Sequence, residues 1–178
     1  FTGSNDHFNK KNINLILKSI NREQKKYKFF LVGGDTTSSS NSSFTICSLA
    51  YGKKIIKRKK CTNDDDIYIT GNVGDSSVGL SILKNLIKVD KKTKKYFIDK
   101  YFCPSLAFGF HKDLCKFATS SIDVSDGLLI DLRNLVDNKK FGFVIDFDLI
   151  PKSNFFNRLV NSKTISIEKH LFNGDDYQ

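Results

Sequence analysis

Ile67-Tyr68-Ile69-Thr70-Gly71-Asn72-Val73-Gly74-Asp75-Ser76-Ser77 decides how the chain is read, because three kinds of local structure follow one another in it. Strand-forming residues come first and a glycine turn follows. Asp75-Ser76-Ser77 then offers cap residues to a helix carrying Leu80, Leu83, Leu86 and Ile87. The same succession of apolar run, glycine and acid occurs on either side. Upstream, Phe29-Phe30-Leu31-Val32 runs into Gly33-Gly34-Asp35-Thr36-Thr37. Downstream, Ile122-Asp123-Val124-Ser125-Asp126-Gly127 precedes an amphipathic segment with Leu128, Leu129, Leu132, Leu135 and Val136. The sequence closes on Gly174-Asp175-Asp176-Tyr177-Gln178.

Around these stretches the periodicity predicts strands at 29–32, 44–51, 67–70 and 141–149. It predicts helices from Asn12, as cap, to about Tyr27, at 94–100, at 107–117 and after Gly127. Mixed strands and helices make an α/β or α+β protein. A basic connector, Lys53 to Lys60, leads to Asn63-Asp64-Asp65, which sets a boundary between a first domain, 1–63, and a second, 64–178.

The 178 residues carry a net charge of +10 with 39% hydrophobic content, which fits a chain folded around a core rather than a disordered one. Apolar runs fall well short of the ~20 residues a membrane span needs. Phe1-Thr2-Gly3-Ser4-Asn5 has no basic-then-apolar pattern, so no secretory signal is visible and a cytoplasmic protein is expected. Of 29 basic residues only Arg22, Arg58, Arg133 and Arg158 are arginine; the lysines are spread evenly, as on a solvated surface. Lysine tracts such as Lys91 to Lys95 would also suit nucleic acid, but that reading gives the glycine–acid stretches no role. Cys47, Cys61, Cys103 and Cys115 lack metal-binding spacing and are expected to be reduced and mostly buried. Met is absent and the chain stops inside an apparently functional loop, so it is expected to be an internal piece of a longer protein.

The chemistry is carried by Asp35, Asp75, Asp123, Asp126, Asp175 and Asp176, carboxylates beside glycine in a basic protein. Glycine lets the backbone approach a ligand and offer N–H groups to phosphate oxygens. Carboxylates gathered at one cleft repel one another, and a divalent cation relieves the repulsion. Magnesium prefers carboxylate and phosphate oxygens, so the pattern points to a metal–nucleotide site for phosphoryl transfer. Each piece alone also has a plainer reading. Gly33 to Thr37 would be an ordinary turn, Asp75 and Asp126 helix caps, Asp131 a dipole-stabilising or exposed acid, and Asp175-Asp176 a solvated loop. Other chemistry is poorly served. Gly71-x-x-Gly74-Asp75 lacks the ending of a Walker A loop, and His7, His111 and His170 are far apart, with no nucleophile elbow and no zinc-binding pair.

Taken in order, Leu31 to Thr37, Asp66 to Ser76, Ile122 to Leu128 and Gly174 to Gln178 resemble the thiamine-monophosphate kinase family of the aminoimidazole ribonucleotide synthetase-like superfamily. The resemblance covers essentially the whole chain. It implies a two-domain α/β fold with both domains incomplete here, and a homodimer at full length. It also implies ATP-dependent phosphorylation of thiamine monophosphate to thiamine diphosphate, by direct transfer assisted by Mg2+. By motif match, Asp35, Asp75, Asp123 and Asp126 would hold metal. Gly74, Asp75, Lys100 and Ser125 would meet ATP, Asp175 would meet the thiamine phosphate, and no residue would act as a covalent catalyst. Two departures stand out. Where the family shows Arg-His-Leu-Arg-Pro, this chain has Lys100-Tyr101-Phe102-Cys103-Pro104, so Lys100 keeps a charge without the guanidinium fork and Cys103 keeps neither. The family's Gly-Asp-Asp motif, its substrate-contacting His and a C-terminal aromatic contact fall outside the sequence, so this piece alone is expected to be inactive. The alternatives are a relative acting on another acceptor, of aminoimidazole ribonucleotide or selenophosphate synthetase type, and a lysine-rich nucleic-acid binder.

Overall fold

A computed structural model describes residues 1–4, 8–136 and 141–178. His7, one of the three scattered histidines, lies outside the described residues. Two compact units are present, Phe1–Lys53 and Lys54–Gln178.

In the first unit, β1 (Thr2–Gly3) pairs in parallel with β2 (Thr37–Ser38), Thr2 opposite Thr37, and Thr2 also bridges to Ser43. Helix α1 spans Lys10–Tyr27. Its cap is Asn9, three residues before the expected Asn12; the Asn9 side chain accepts the Asn12 N–H at 3.0 Å, and Lys28 ends the helix in the left-handed region. Phe1, Phe8 and Phe44 pack their rings together beside this small sheet.

The second unit is built from α2 (Asp75–Leu83), α3 (Lys91–Phe102), α4 (His111–Phe117) entered through a 3-10 turn at Phe108–Phe110, α5 (Leu128–Val136), α6 (Asn154–Asn161) and α7 (Ile167–Leu171). Helix α2 is the centre of this unit. Asp75 to Gly79 are all buried, as are Ser81 and Ile82. Its short side chains let neighbours close on several sides, and Val78 and Ile82 join a core with Val73, Phe97, Leu128, Leu132, Phe156, Leu159 and Leu171. Asp90 caps α3 by accepting the N–H groups of Lys92 and Thr93, and Ser153 caps α6 by accepting the Phe156 N–H at 3.0 Å.

Several expectations are corrected. None of the segments 29–32, 44–51, 67–70 and 141–149 forms a ladder; the described residues are mostly helical with one small sheet. The reason is physical: alternation says which side chains want cover, but a strand exists only where a neighbour takes its N–H and C=O groups. Phe30, Val32, Ile46, Leu49, Tyr68 and Val144 consequently stand exposed. Helix α2 ends at Leu83, before Leu86 and Ile87, and its cap is Gly74, so Asp75 is the first helical residue instead of the cap. Helices α6 and α7 are not predicted by the periodicity. The four cysteines are free, yet Cys47 and Cys103 are exposed and Cys61 and Cys115 only part-buried, because each lies in a loop or at a helix margin away from the core. Among the described residues no helix is long and apolar enough to cross a membrane.

Because Phe97 is fully buried against α2, Phe97→Ala is expected to cost about 3–5 kcal/mol of stability. Denaturant titration against Lys92→Ala, an exposed change on the same helix, checks this; equal midpoints for the two variants would contradict it.

Candidate functional site

Three of the four glycine–acid stretches lie in the second unit, and the structure brings them together. The closing segment runs alongside residues 124–125: Asp175 N–H donates to Ser125 O at 2.9 Å, Tyr177 N–H to Val124 O at 2.9 Å, and Val124 N–H to Gln178 O at 3.2 Å. Gly174 makes this approach possible, since a Cβ there would stand 1.9 Å from Ser125 O. From that segment the Asp176 carboxylate reaches the head of α2 and accepts the Gly74 N–H at 2.6 Å and the Ser76 N–H at 3.1 Å. Gly74 holds φ +92 to turn the chain into the helix, with Phe156 pressed against its bare Cα.

Asp75 sits next to that contact, 2% exposed. Tyr96 donates its hydroxyl to one carboxylate oxygen at 2.8 Å and Ser153 to the other at 2.7 Å. Burial pushes the Asp75 pKa up, and the Ser153 and Tyr96 hydroxyls and the Lys100 charge oppose the rise. Burial likewise pushes Asp176 up to about 6 against the Gly74 and Ser76 amides, with the Asp75 charge adding to the rise. Lys100, in the last turn of α3, lines a recess of about 340 Å³ with Tyr96, Asp99, Cys103 and Ser105, and its ammonium donates to Ser105 Oγ at 3.2 Å.

The second turn is organised by Asp131. One of its carboxylate oxygens accepts the N–H groups of Ser125, Asp126 and Gly127 at 3.0, 2.9 and 3.1 Å. Asp131 is thus buried, contrary to the expectation of an exposed or merely dipole-stabilising acid, because three converging amides outweigh its desolvation. Asp123 and Asp126 remain exposed, Asp123 facing Arg58 at 3.5 Å, and Asp175 is half-buried in the left-handed region. In the first unit, Asp35 is exposed and its side chain accepts the Thr36 N–H at 2.7 Å, the local bond of the ordinary turn weighed above.

Sequence reasoning missed Asp131, Tyr96, Ser153, His170 and the reach of Asp176. Only the doubled acid after Gly174 was a visible signal. His170 Nδ1 lies 2.9 Å from Ser77 Oγ. The pair has the elements of a nucleophile and base, but His170 is 1% and Ser77 7% exposed, so substrate has no access to it. His111 instead meets the Phe108 carbonyl at a helix margin.

Among the described residues no three His, Cys, Asp or Glu side chains group closely enough to hold a metal by themselves. What the arrangement offers is a set of carboxylates, some buried and some surface-facing, on turns that share one segment.

No family model matches the chain. Thiamine-monophosphate kinase of Buchnera aphidicola subsp. Schizaphis graminum is 35% identical over 167 residues, 90% of this chain and 50% of that protein. The chain spans about half the length of the curated relatives it matches. Among solved structures, thiamine monophosphate kinase from Aquifex aeolicus matches with a TM-score of 0.82 at 21% identity, over 99% of this chain and 59% of that one. AaThiL complexed with AMPPCP and TMP matches at 0.80 and 21% identity, over 99% and 58%. At that identity the likeness speaks for the fold.

Two outcomes are expected. Gly174→Ala forces backbone apart at Ser125 and costs about 1–3 kcal/mol, read by thermal melting; an unchanged melt would contradict the close approach. His170 is held down to about 4 by burial, below the ordinary 6.5, so the unfolded chain takes up its proton first as pH falls. Stability that His170 leaves intact above 6.5 is therefore lost as pH drops toward 4. Compared with His170→Gln, the wild-type chain should lose up to about 1.4 kcal/mol more per pH unit across that window, by denaturant unfolding at pH 7 and 5. A constant difference between the two would contradict a buried neutral imidazole.

Proposed function

We propose, from the chain's place among the thiamine-monophosphate kinases over about half of their length, that the protein containing it transfers the γ-phosphoryl group of ATP to thiamine monophosphate. The observation that carries the reading is the assembly of the 74–76, 123–127 and 174–178 turns through Asp176 and the Ser125 pairing. Motifs scattered along the sequence are thereby gathered in one unit, as a shared anionic ligand requires. The likeness in fold to AaThiL complexed with AMPPCP and TMP supports the same pairing of nucleotide and acceptor.

In this reading Asp75, Asp123 and Asp126 hold Mg2+, and Asp35, in the first unit, is a metal ligand by motif match alone. Gly74, Asp75, Lys100 and Ser125 meet ATP, and Asp175 meets the thiamine phosphate. The donor set suits a hard cation. It is all carboxylate oxygen, and burial disfavours the charge on Asp75, a cost a cation would offset. With no closed three-residue group among the described residues, the remaining ligands would be phosphate oxygens and water, as magnesium commonly has them. Bound Mg2+ supplies charge neutralisation between two anionic reactants.

The chain's own residues do the positioning. Tyr96 and Ser153 fix the Asp75 carboxylate, so it needs no reorganisation when ligand arrives. The Gly74 amide is committed to Asp176, so the part of Gly74 is to keep the turn free of a side chain. Asp131 holds the turn that presents Asp123, Ser125 and Asp126. Lys100 brings positive charge to the Asp75 side, as a point charge without a fork. Direct transfer without a phosphoenzyme belongs to the same reading, and the Ser77–His170 pair, being buried, takes no part in it. A homodimer and a cytoplasmic location belong to the same proposal.

The test is turnover by the full-length protein. With ATP and Mg2+ it should convert thiamine monophosphate to the diphosphate, chelation should abolish conversion, and Asp75→Asn should lower it by about a hundredfold. No conversion, with conversion of another phosphorylated acceptor in its place, would reassign the substrate. An Asp75→Asn variant as active as wild type would remove Asp75 from the site.

A further inference from the structure

Resting on that reading, we propose that Asp176 is a positioning residue for the nucleotide, acting through the Gly74–Ser76 turn and touching neither substrate. Four observations carry this. The carboxylate is 3% exposed, so it is turned inward and away from ligand. Its two oxygens take two different amides, Gly74 at 2.6 Å and Ser76 at 3.1 Å, which fixes the turn in position and rotation together. Asp75, whose carboxylate the turn presents, lies between those two amides. The clamp also arrives from a segment 100 residues away, where the neighbouring Asp175 N–H is pinned to Ser125 O.

Local structure does not demand such a clamp. A side chain from the helix's own cap commonly serves the first amides of a helix, but Gly74 has none. The anion at the head of α2 is instead supplied by the closing segment. The consequence is linkage: the turn assigned to ATP keeps its geometry only while the segment assigned to the thiamine phosphate is seated. Asp176 makes the ATP-side turn depend on the closing segment, which its own pairing with Val124 and Ser125 holds in place without the clamp. Outer-shell partners of this kind typically alter affinity or activity by about 10–100-fold when removed.

Asp176→Asn in the full-length protein tests this, since it keeps the shape but turns an N–H donor toward one of the two amides. The KM for ATP is expected to rise about tenfold, with the KM for thiamine monophosphate within about twofold. Ser77→Ala, which loosens α2 at its contact with His170, is the comparison: it should lower the melting temperature while leaving the KM for ATP unchanged. An Asp176→Asn variant with a lowered melting temperature and an unchanged KM for ATP would show a purely structural role and overturn the proposal; so would an equal rise in both KM values. Calorimetric titration with magnesium and AMPPCP separates this inference from the substrate assignment. If wild type binds the nucleotide but turns over no thiamine monophosphate, the substrate reading fails, and a tenfold weaker binding by Asp176→Asn still upholds the positioning role. If wild type binds no nucleotide, both fall. Should Asp176→Asn not fold, Asp176→Glu keeps both acceptor oxygens at a longer reach. An ATP-selective rise of about threefold or more then supports the role, and no rise overturns it.

Discussion

The 54–178 unit depends on taking carboxylates out of water and satisfying them with groups fixed in its own backbone. A buried, unpaired carboxylate costs several kcal/mol, and charge-assisted hydrogen bonds recover that cost only when the donors are already in place. Asp176 meets the condition with two amides at the head of α2, Asp131 with three at the head of α5, and Asp75 with the Tyr96 and Ser153 hydroxyls. The Asp131 set is local, four to six residues away, but those of Asp176 and Asp75 exist only once distant segments meet: Asp176 lies about a hundred residues from its donors and Ser153 78 from Asp75. The buried acids therefore couple folding of the unit to assembly of its site.

That constraint divides the acids into two groups. Asp131 and Asp176 are spent on holding turns, while Asp123, Asp126 and Asp175 are left at or near the surface of the same turns. Asp75 stands between the groups, buried and fixed yet next to Lys100 and its recess. A ligand that is both anionic and metal-carrying meets this arrangement well. Surface carboxylates would share a cation with it, and the ammonium of Lys100 adds opposite charge nearby. The evenly spread lysines favour the approach of any phosphorylated molecule without choosing among them.

Much of the candidate site was legible in sequence because glycine beside an acid is a local signal, visible within five residues. Gly74-Asp75, Asp123 to Gly127 and Gly174 to Asp176 could be marked, and the helices that follow Gly74 and Gly127 came from apolar spacing. The partners of the acids were not legible. Nothing around Tyr96 or Ser153 points to Asp75, and Asp131 looks like any first-turn helical acid until its three amides are seen. The strands at 29–32, 44–51, 67–70 and 141–149 failed for a related reason. Their alternation is intrinsic, but pairing belongs to a partner that the pattern does not name. Helices α6 and α7 are short, and Phe155-Phe156 and the Ser-Lys-Thr stretch after them carry too few periods to separate helix from loop.

The most direct measurement is amide hydrogen exchange on the full-length protein, with and without magnesium and AMPPCP. If the gathered turns form one nucleotide-phosphate site, protection should appear together at 74–76, 123–127 and 174–178. Protection confined to one of these stretches, or found only elsewhere in the protein, would contradict the account.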